Sequence, residues 1–272
     1  MFYTGTWPGS IATNLLTLYN LEVRRVLEMM MWINMCVCLP LTILIIYCLF
    51  CVTRRSQVPI IYYTNLLISN LIQICIMTLW VTRVESSIFI VIYVSCMMAT
   101  LYFKMCIALE RYFFIACPLL DCLRQTKSSV LVCVLVWALC IISVPLAIVL
   151  NEFVRLIIYV TLPGPLFIFC LARTFTALPA ATSVPTEEKW RTLGTLIVLF
   201  VNYFLIIIPT IICLFVNEYI YRLLYYYVIL ISVLFLLCPF VDLILFLFMQ
   251  KGCIDKVLRC LCSCSTDTTV SD

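Results

Sequence analysis

Residues 88–113 read IFIVIYVSCMMATLYFKMCIALERYF. Up to Leu109 the stretch carries a single charged side chain, Lys104, and it closes on Glu110 and Arg111. A helix needs about 20 apolar residues to cross the hydrocarbon layer. The stretch therefore predicts a membrane-spanning helix with one charge inside it and a charged pair at one end. Working outward in both directions, six further stretches have the same character: Met30–Val52, Pro59–Val81, Ser129–Leu150, Leu156–Leu178, Leu193–Val216 and Leu223–Met249. The whole chain is 65% hydrophobic and 11% charged, against about 45–50% and about 25% in a soluble domain. The expected fold is an all-α membrane protein, a seven-transmembrane helix bundle.

The connections are short, without repeats or Gly/Ser linkers, so one domain is expected: an outer segment at 1–29, the bundle at 30–249 and an inner tail at 250–272. Residues 1–28 pass through Pro8, Asn14, Glu22 and Arg24 and lack the pattern of a cleaved leader, so the first span is expected to direct insertion. Basic residues mark the inner side. With the C-terminus inside, eleven Lys and Arg residues face the cytoplasm, and Arg24, Arg25, Arg83, Arg155 and Arg222 stay outside; with Lys104 these account for all 17. The net charge of +4 thus follows from topology and does not call for nucleic acid.

None of the 18 cysteines falls in an expected outer segment, which removes the disulfide-scaffold reading, and no N-x-S/T sequon is present. Thr186, Glu187 and Glu188 read as a helix start leading into the sixth span. Lys251 to Cys264 alternates basic and apolar residues and reads as a short amphipathic C-terminal helix on the inner membrane surface. Cys260, Cys262 and Cys264 on that segment are expected to be S-palmitoylated rather than free.

Several positions carry a resemblance. Asn65 to Leu71 is similar to an N-L-x-x-x-D-L pattern, with Asn70 in place of the aspartate; Glu110, Arg111 and Tyr112 match a D/E-R-Y triplet, followed by Pro118. Trp137 stands in the fourth span, Pro209 in the sixth, and Asp242 to Phe246 looks like D-P-x-x-Y without its proline and tyrosine. In this order the chain resembles a divergent rhodopsin-like (class A) G-protein-coupled receptor, nearest to the lysolipid-responsive and proton-sensing branch. The resemblance implies a receptor in the plasma membrane that signals to a heterotrimeric G protein, with Glu110, Arg111, Tyr112 and Pro118 at the contact and Pro209 as a kink. It also implies a ligand site between the outer halves of the spans. Trp80, Tyr93 and Tyr203 are candidates to line it, and a lipid-like ligand entering from the membrane suits such an apolar pocket. The chain has no histidine, so pH sensing through imidazole is discounted.

The departures from the family pattern fall on its restraints. Ser86 stands where the outer disulfide's cysteine is expected, the outer loop from Asn151 to about Arg155 has none, Ile207 replaces the sixth-span tryptophan, and Lys189 replaces an acid of the inner lock. Lys104 lies two turns, about 10 Å, deeper than Arg111 on nearly the same face, and Asp242 has a similar depth in the seventh span. A mid-span charge costs about 2.5–3.5 kcal/mol and is a functional hypothesis by default. The expectation is a buried polar switch: a Lys104 and Asp242 pair with a hydrogen bond from Asn70, no sodium dependence, and signalling without ligand. The plainer reading of Lys104 is a side chain stretching toward water, that of Arg111 an ordinary inner-side cation, and that of the tyrosines and prolines packing and kinks.

Zero histidines removes a histidine-bound zinc, and no catalytic triad or phosphate loop is visible, so no enzyme, cofactor or metal is expected. The alternatives kept open are a non-signalling receptor-derived decoy and, behind it, a small-solute transporter, which predicts an internal symmetry not found here. The eroded motifs are also those of a receptor gene captured by a large DNA virus, in which case the site of action is the host cell membrane.

Overall fold

The computed structural model describes residues 25, 28–53, 59–81, 87–116, 126–150, 153–179, 184–215 and 238–245. They are helical except for short turns at 150, 162, 178–179 and 184–185, and no strand occurs among the described residues. A π-helical turn, Asn34–Cys38, leads into α1 (Leu39–Thr53); α2 is Pro59–Val81, α3 Ser87–Ala116 and α4 Thr126–Val149. Then come α5 (Phe153–Thr161), α6 (Pro163–Ala177), α7 (Thr186–Phe215) and α8 (238–245).

Among the described residues five stretches are long and apolar enough to cross a membrane: Glu28–Tyr47, Ile61–Leu79, Ile88–Ala116, Ser128–Val149 and Val154–Ala177. They fall on the first five expected spans. α7 contains all but the last residue of the expected sixth, and α8 lies within the expected seventh. Two boundaries differ from the sequence reading. The fifth span begins earlier, with α5 starting at Phe153, so Arg155 stands in its first turn rather than in a loop. It is also broken in two at Leu162, because Pro163 and Pro165 each lack the N–H that a continuous helix would use.

The surface is as apolar as the interior, as an element immersed in lipid requires. On α4, Leu131, Val134, Leu135, Leu139, Ile142 and Leu146 are exposed, while Cys133, Val136, Cys140, Val144 and Ala147 face inward. The inward set follows the i, i+3, i+7, i+11 spacing of one helical face. Polar side chains show the converse. Ser69, Asn70, Gln73, Thr100, Lys104, Asn202 and Asp242 are all buried. Where no neighbour helix offers a partner, they turn back on their own turn, as Thr42 does onto the Cys38 carbonyl at 2.6 Å and Thr78 onto the Ile74 carbonyl at 2.9 Å.

α3 is the axis of the bundle. It packs against α2, α4, α6 and α7, and its 30 residues give a length of about 45 Å. Its buried face runs through Cys96, Ala99, Phe103, Cys106 and Ile107, with Lys104 beside them. α7 starts where Thr186 is expected to start it. Glu187 and Glu188 occupy its first turn, favourable against the helix dipole, and Glu188 pairs with Arg191 at 2.8 Å.

Candidate functional site

The buried polar residues are not scattered; they meet at one level of the bundle. Lys104 on α3 places its ammonium 2.8 Å from Asp242 Oδ1, 3.0 Å from Asn202 Oδ1 on α7 and 3.4 Å from Cys238 Sγ on α8. One ion pair and two hydrogen bonds thus surround the ammonium. Asp242 Oδ2 accepts from Asn70 Nδ2 at 2.9 Å. Asn70 Oδ1 accepts in turn from Thr100 Oγ1 at 3.3 Å and lies 3.5 Å from Gln73 Nε2. Gln73 also donates to Thr100 at 2.9 Å, and Ser69 donates to the Cys96 carbonyl at 2.7 Å.

Charge arithmetic explains the asparagine at 70. One ammonium and one carboxylate make the cluster neutral. An aspartate at 70 would add a second carboxylate and leave a net negative charge where no water can screen it. The chain thus joins α2, α3, α7 and α8 through a neutral, nearly fully hydrogen-bonded set. Removing one partner of such a pair costs about 3–5 kcal/mol, although replacing both with apolar residues is often neutral.

The structure brings Asn70, Lys104 and Asp242 together and adds Asn202, Cys238, Gln73, Thr100 and Ser69, which sequence reasoning missed. A signal for them existed. Ser69 and Gln73 are four residues apart on α2, as are Thr100 and Lys104 on α3, so each pair shares a helix face in an otherwise apolar span.

Glu110, Arg111 and Tyr112 do not join this cluster; they lie about two turns away toward the C-terminal end of α3. The Arg111 Nε is buried without a hydrogen bond. Tyr63 on α2 is fully buried. Tyr112 packs its ring against Phe113 and Phe169 at 5.1 and 5.5 Å. Trp137 on α4 donates to Asn65 Oδ1 on α2 at 3.0 Å and receives the edge of Phe103 at 5.8 Å. Two of the positions that carry the resemblance are therefore in contact.

Two of the three candidate ligand contacts have described side chains. Tyr93 is half-buried on the N-terminal half of α3. Tyr203 is buried, and its hydroxyl donates to the carbonyls of Val160 at 3.0 Å and Thr161 at 3.2 Å. That oxygen already has partners within the protein. The backbone of α7 runs helically through Pro209. Pro118, Ser86, Cys260, Cys262, Cys264, the side chain of Trp80 and the amphipathic tail lie outside the described residues. Among the described residues no group of three or more His, Cys, Asp or Glu side chains could hold a metal ion.

Neither a family model nor a curated protein matches the sequence. By helix length and hydropathy the chain is an all-helical, multi-pass membrane protein with five candidate spans among the described residues, built around a buried Lys104 and Asp242 pair.

Proposed function

We propose that the chain is a seven-helix receptor of the rhodopsin-like class that passes a signal to a heterotrimeric G protein and does so without a ligand. The observation that carries this reading is the position of the buried ammonium. It ties α3 to α7 and α8 at mid-depth, two turns from Arg111, in the layer where the resemblance puts an apolar clamp between the third and sixth spans. An apolar clamp gains from burial. A buried ion pair gives back in desolvation most of what its Coulomb attraction gains, so the resting arrangement is held less firmly.

The contact between Trp137 and Asn65 supports the same reading, because both residues belong to the motif set of that class. Glu110, Arg111, Tyr112 and Pro118 form the inner contact in this account, and Lys189 in place of an acid leaves Arg111 without its usual lock. The three tail cysteines anchor the end of the chain to the inner leaflet. The test is second-messenger output in cells expressing the chain with no added ligand. Output above that of mock-transfected cells, lost in Arg111→Ala, supports the receptor; a binder or decoy gives the same flat signal in both.

A further inference from the structure

The break between α5 and α6 leaves a definite deficit. In a continuous helix the N–H of residue 163 would bond the Tyr159 carbonyl, and that of residue 165 the Thr161 carbonyl. Both residues are proline, so both carbonyls lose their donors inside a membrane span. An unsatisfied backbone group in hydrocarbon costs several kcal/mol. Yet Leu162 keeps helical dihedrals, φ −52° and ψ −41°, and its N–H still reaches the Ile158 carbonyl at 2.9 Å. The segment does not unwind to seek other donors.

Two tyrosines from neighbouring helices supply what is missing. Tyr102 on α3 donates its hydroxyl to the Tyr159 carbonyl at 3.1 Å. Tyr203 on α7 shares its one O–H between the Thr161 carbonyl at 3.2 Å and the Val160 carbonyl at 3.0 Å. The Tyr203 oxygen is thus inserted into the helix ladder. Its approach requires a glycine, since a Cβ at Gly164 would lie 2.9 Å from that oxygen and 3.2 Å from the ring. The ring is held from the other side by Phe167, centroid to centroid 5.1 Å.

We propose that Tyr102 and Tyr203 are the external halves of the two hydrogen bonds removed by Pro163 and Pro165. They make the break a joint that α3 and α7 hold closed and that opens when α7 withdraws Tyr203. The joint is independent of the receptor reading, because it rests on backbone satisfaction alone. Each carbonyl has its own tyrosine, so each tyrosine has its own compensating proline substitution. Pro163→Ala restores a donor for Tyr159 and offsets Tyr102→Phe; Pro165→Ala restores one for Thr161 and offsets Tyr203→Phe.

The experiment is amide hydrogen exchange, read by mass spectrometry on the purified full chain in detergent, for peptides spanning 158–168 with α4 as the internal reference. Tyr203→Phe and Tyr102→Phe each remove one net hydrogen bond and should speed exchange at the break about fivefold to tenfold, leaving α4 unchanged. Gly164→Ala, which displaces the Tyr203 ring with its hydroxyl retained, should do the same. Adding Pro165→Ala to Tyr203→Phe should return the rate to that of wild type, as should adding Pro163→Ala to Tyr102→Phe, while the crossed pairs should not. Wild-type exchange in both phenylalanine variants overturns the joint. So does rescue by either proline substitution regardless of which tyrosine was changed, since that would mark a general effect on stability.

Discussion

The ammonium of Lys104 lies 2.8 Å from the carboxylate of Asp242, their side chains 3% and 0% exposed. Such a pair is worth little against an apolar substitute, but either partner alone is expensive. Lys104→Met should therefore lower stability by about 3–5 kcal/mol, and Asp242→Leu should do likewise. The double variant should recover most of the loss. Melting temperatures of the four purified proteins close the cycle; additive losses would show that the two residues do not act as a pair.

The Lys104 ammonium also fills the place of a free cation. The ammonium beside Oδ1 already neutralises the carboxylate and the Asn70 amide bonds Oδ2, so a metal ion would bring a second cation to a single negative charge. Replacing sodium by choline at constant ionic strength should leave the melting temperature of the wild-type protein unchanged. A rise that follows sodium concentration contradicts the neutral cluster.

Asn70→Asp tests the charge balance directly. The substitution keeps the side-chain size but removes the amide N–H that now bonds Asp242 and sets two carboxylates against one ammonium. A fall in melting temperature greater than that of Asn70→Ala is expected, because the alanine loses a hydrogen bond while the aspartate adds like-charge repulsion. A milder effect from the aspartate would mean that the site takes up a proton or a cation.

Trp137 offers a smaller check on the contact between α4 and α2. Trp137→Phe keeps an aromatic ring beside Phe103 but leaves Asn65 Oδ1 without its donor. A loss of about 1 kcal/mol follows from removing the donor of a half-buried acceptor, read as a drop in melting temperature. Asn65→Leu combined with Trp137→Phe should lose less than the sum of the two single changes.

Much of this was legible in the sequence, for a physical reason. In a membrane the spans are written as runs of apolar residues, and a charge within a run has to find a partner, so Lys104 pointed to Asp242 across 137 intervening residues. Asn202 and Cys238 were not legible, because an amide or a thiol in a span is cheap enough to be satisfied by its own helix, as Asn65 Nδ2 is by the Ile61 carbonyl. Tyr203 was read as a candidate ligand contact. The role proposed for it here depends on which carbonyls Pro163 and Pro165 release on a different helix, and on Gly164 leaving room for the ring, a relation that spacing along one span does not encode.

The central claim is that a charge in the layer between α3 and α7 biases a receptor toward signalling. The most direct measurement is ligand-free second-messenger output for wild type, Arg111→Ala, Lys104→Leu and Lys104→Leu with Asp242→Asn, compared at matched surface expression. The account predicts basal output in wild type, none in Arg111→Ala, and a clear reduction in both leucine variants, the second of which leaves no buried carboxylate unpaired. Flat output from wild type across G-protein families, or undiminished output from both leucine variants, would contradict it.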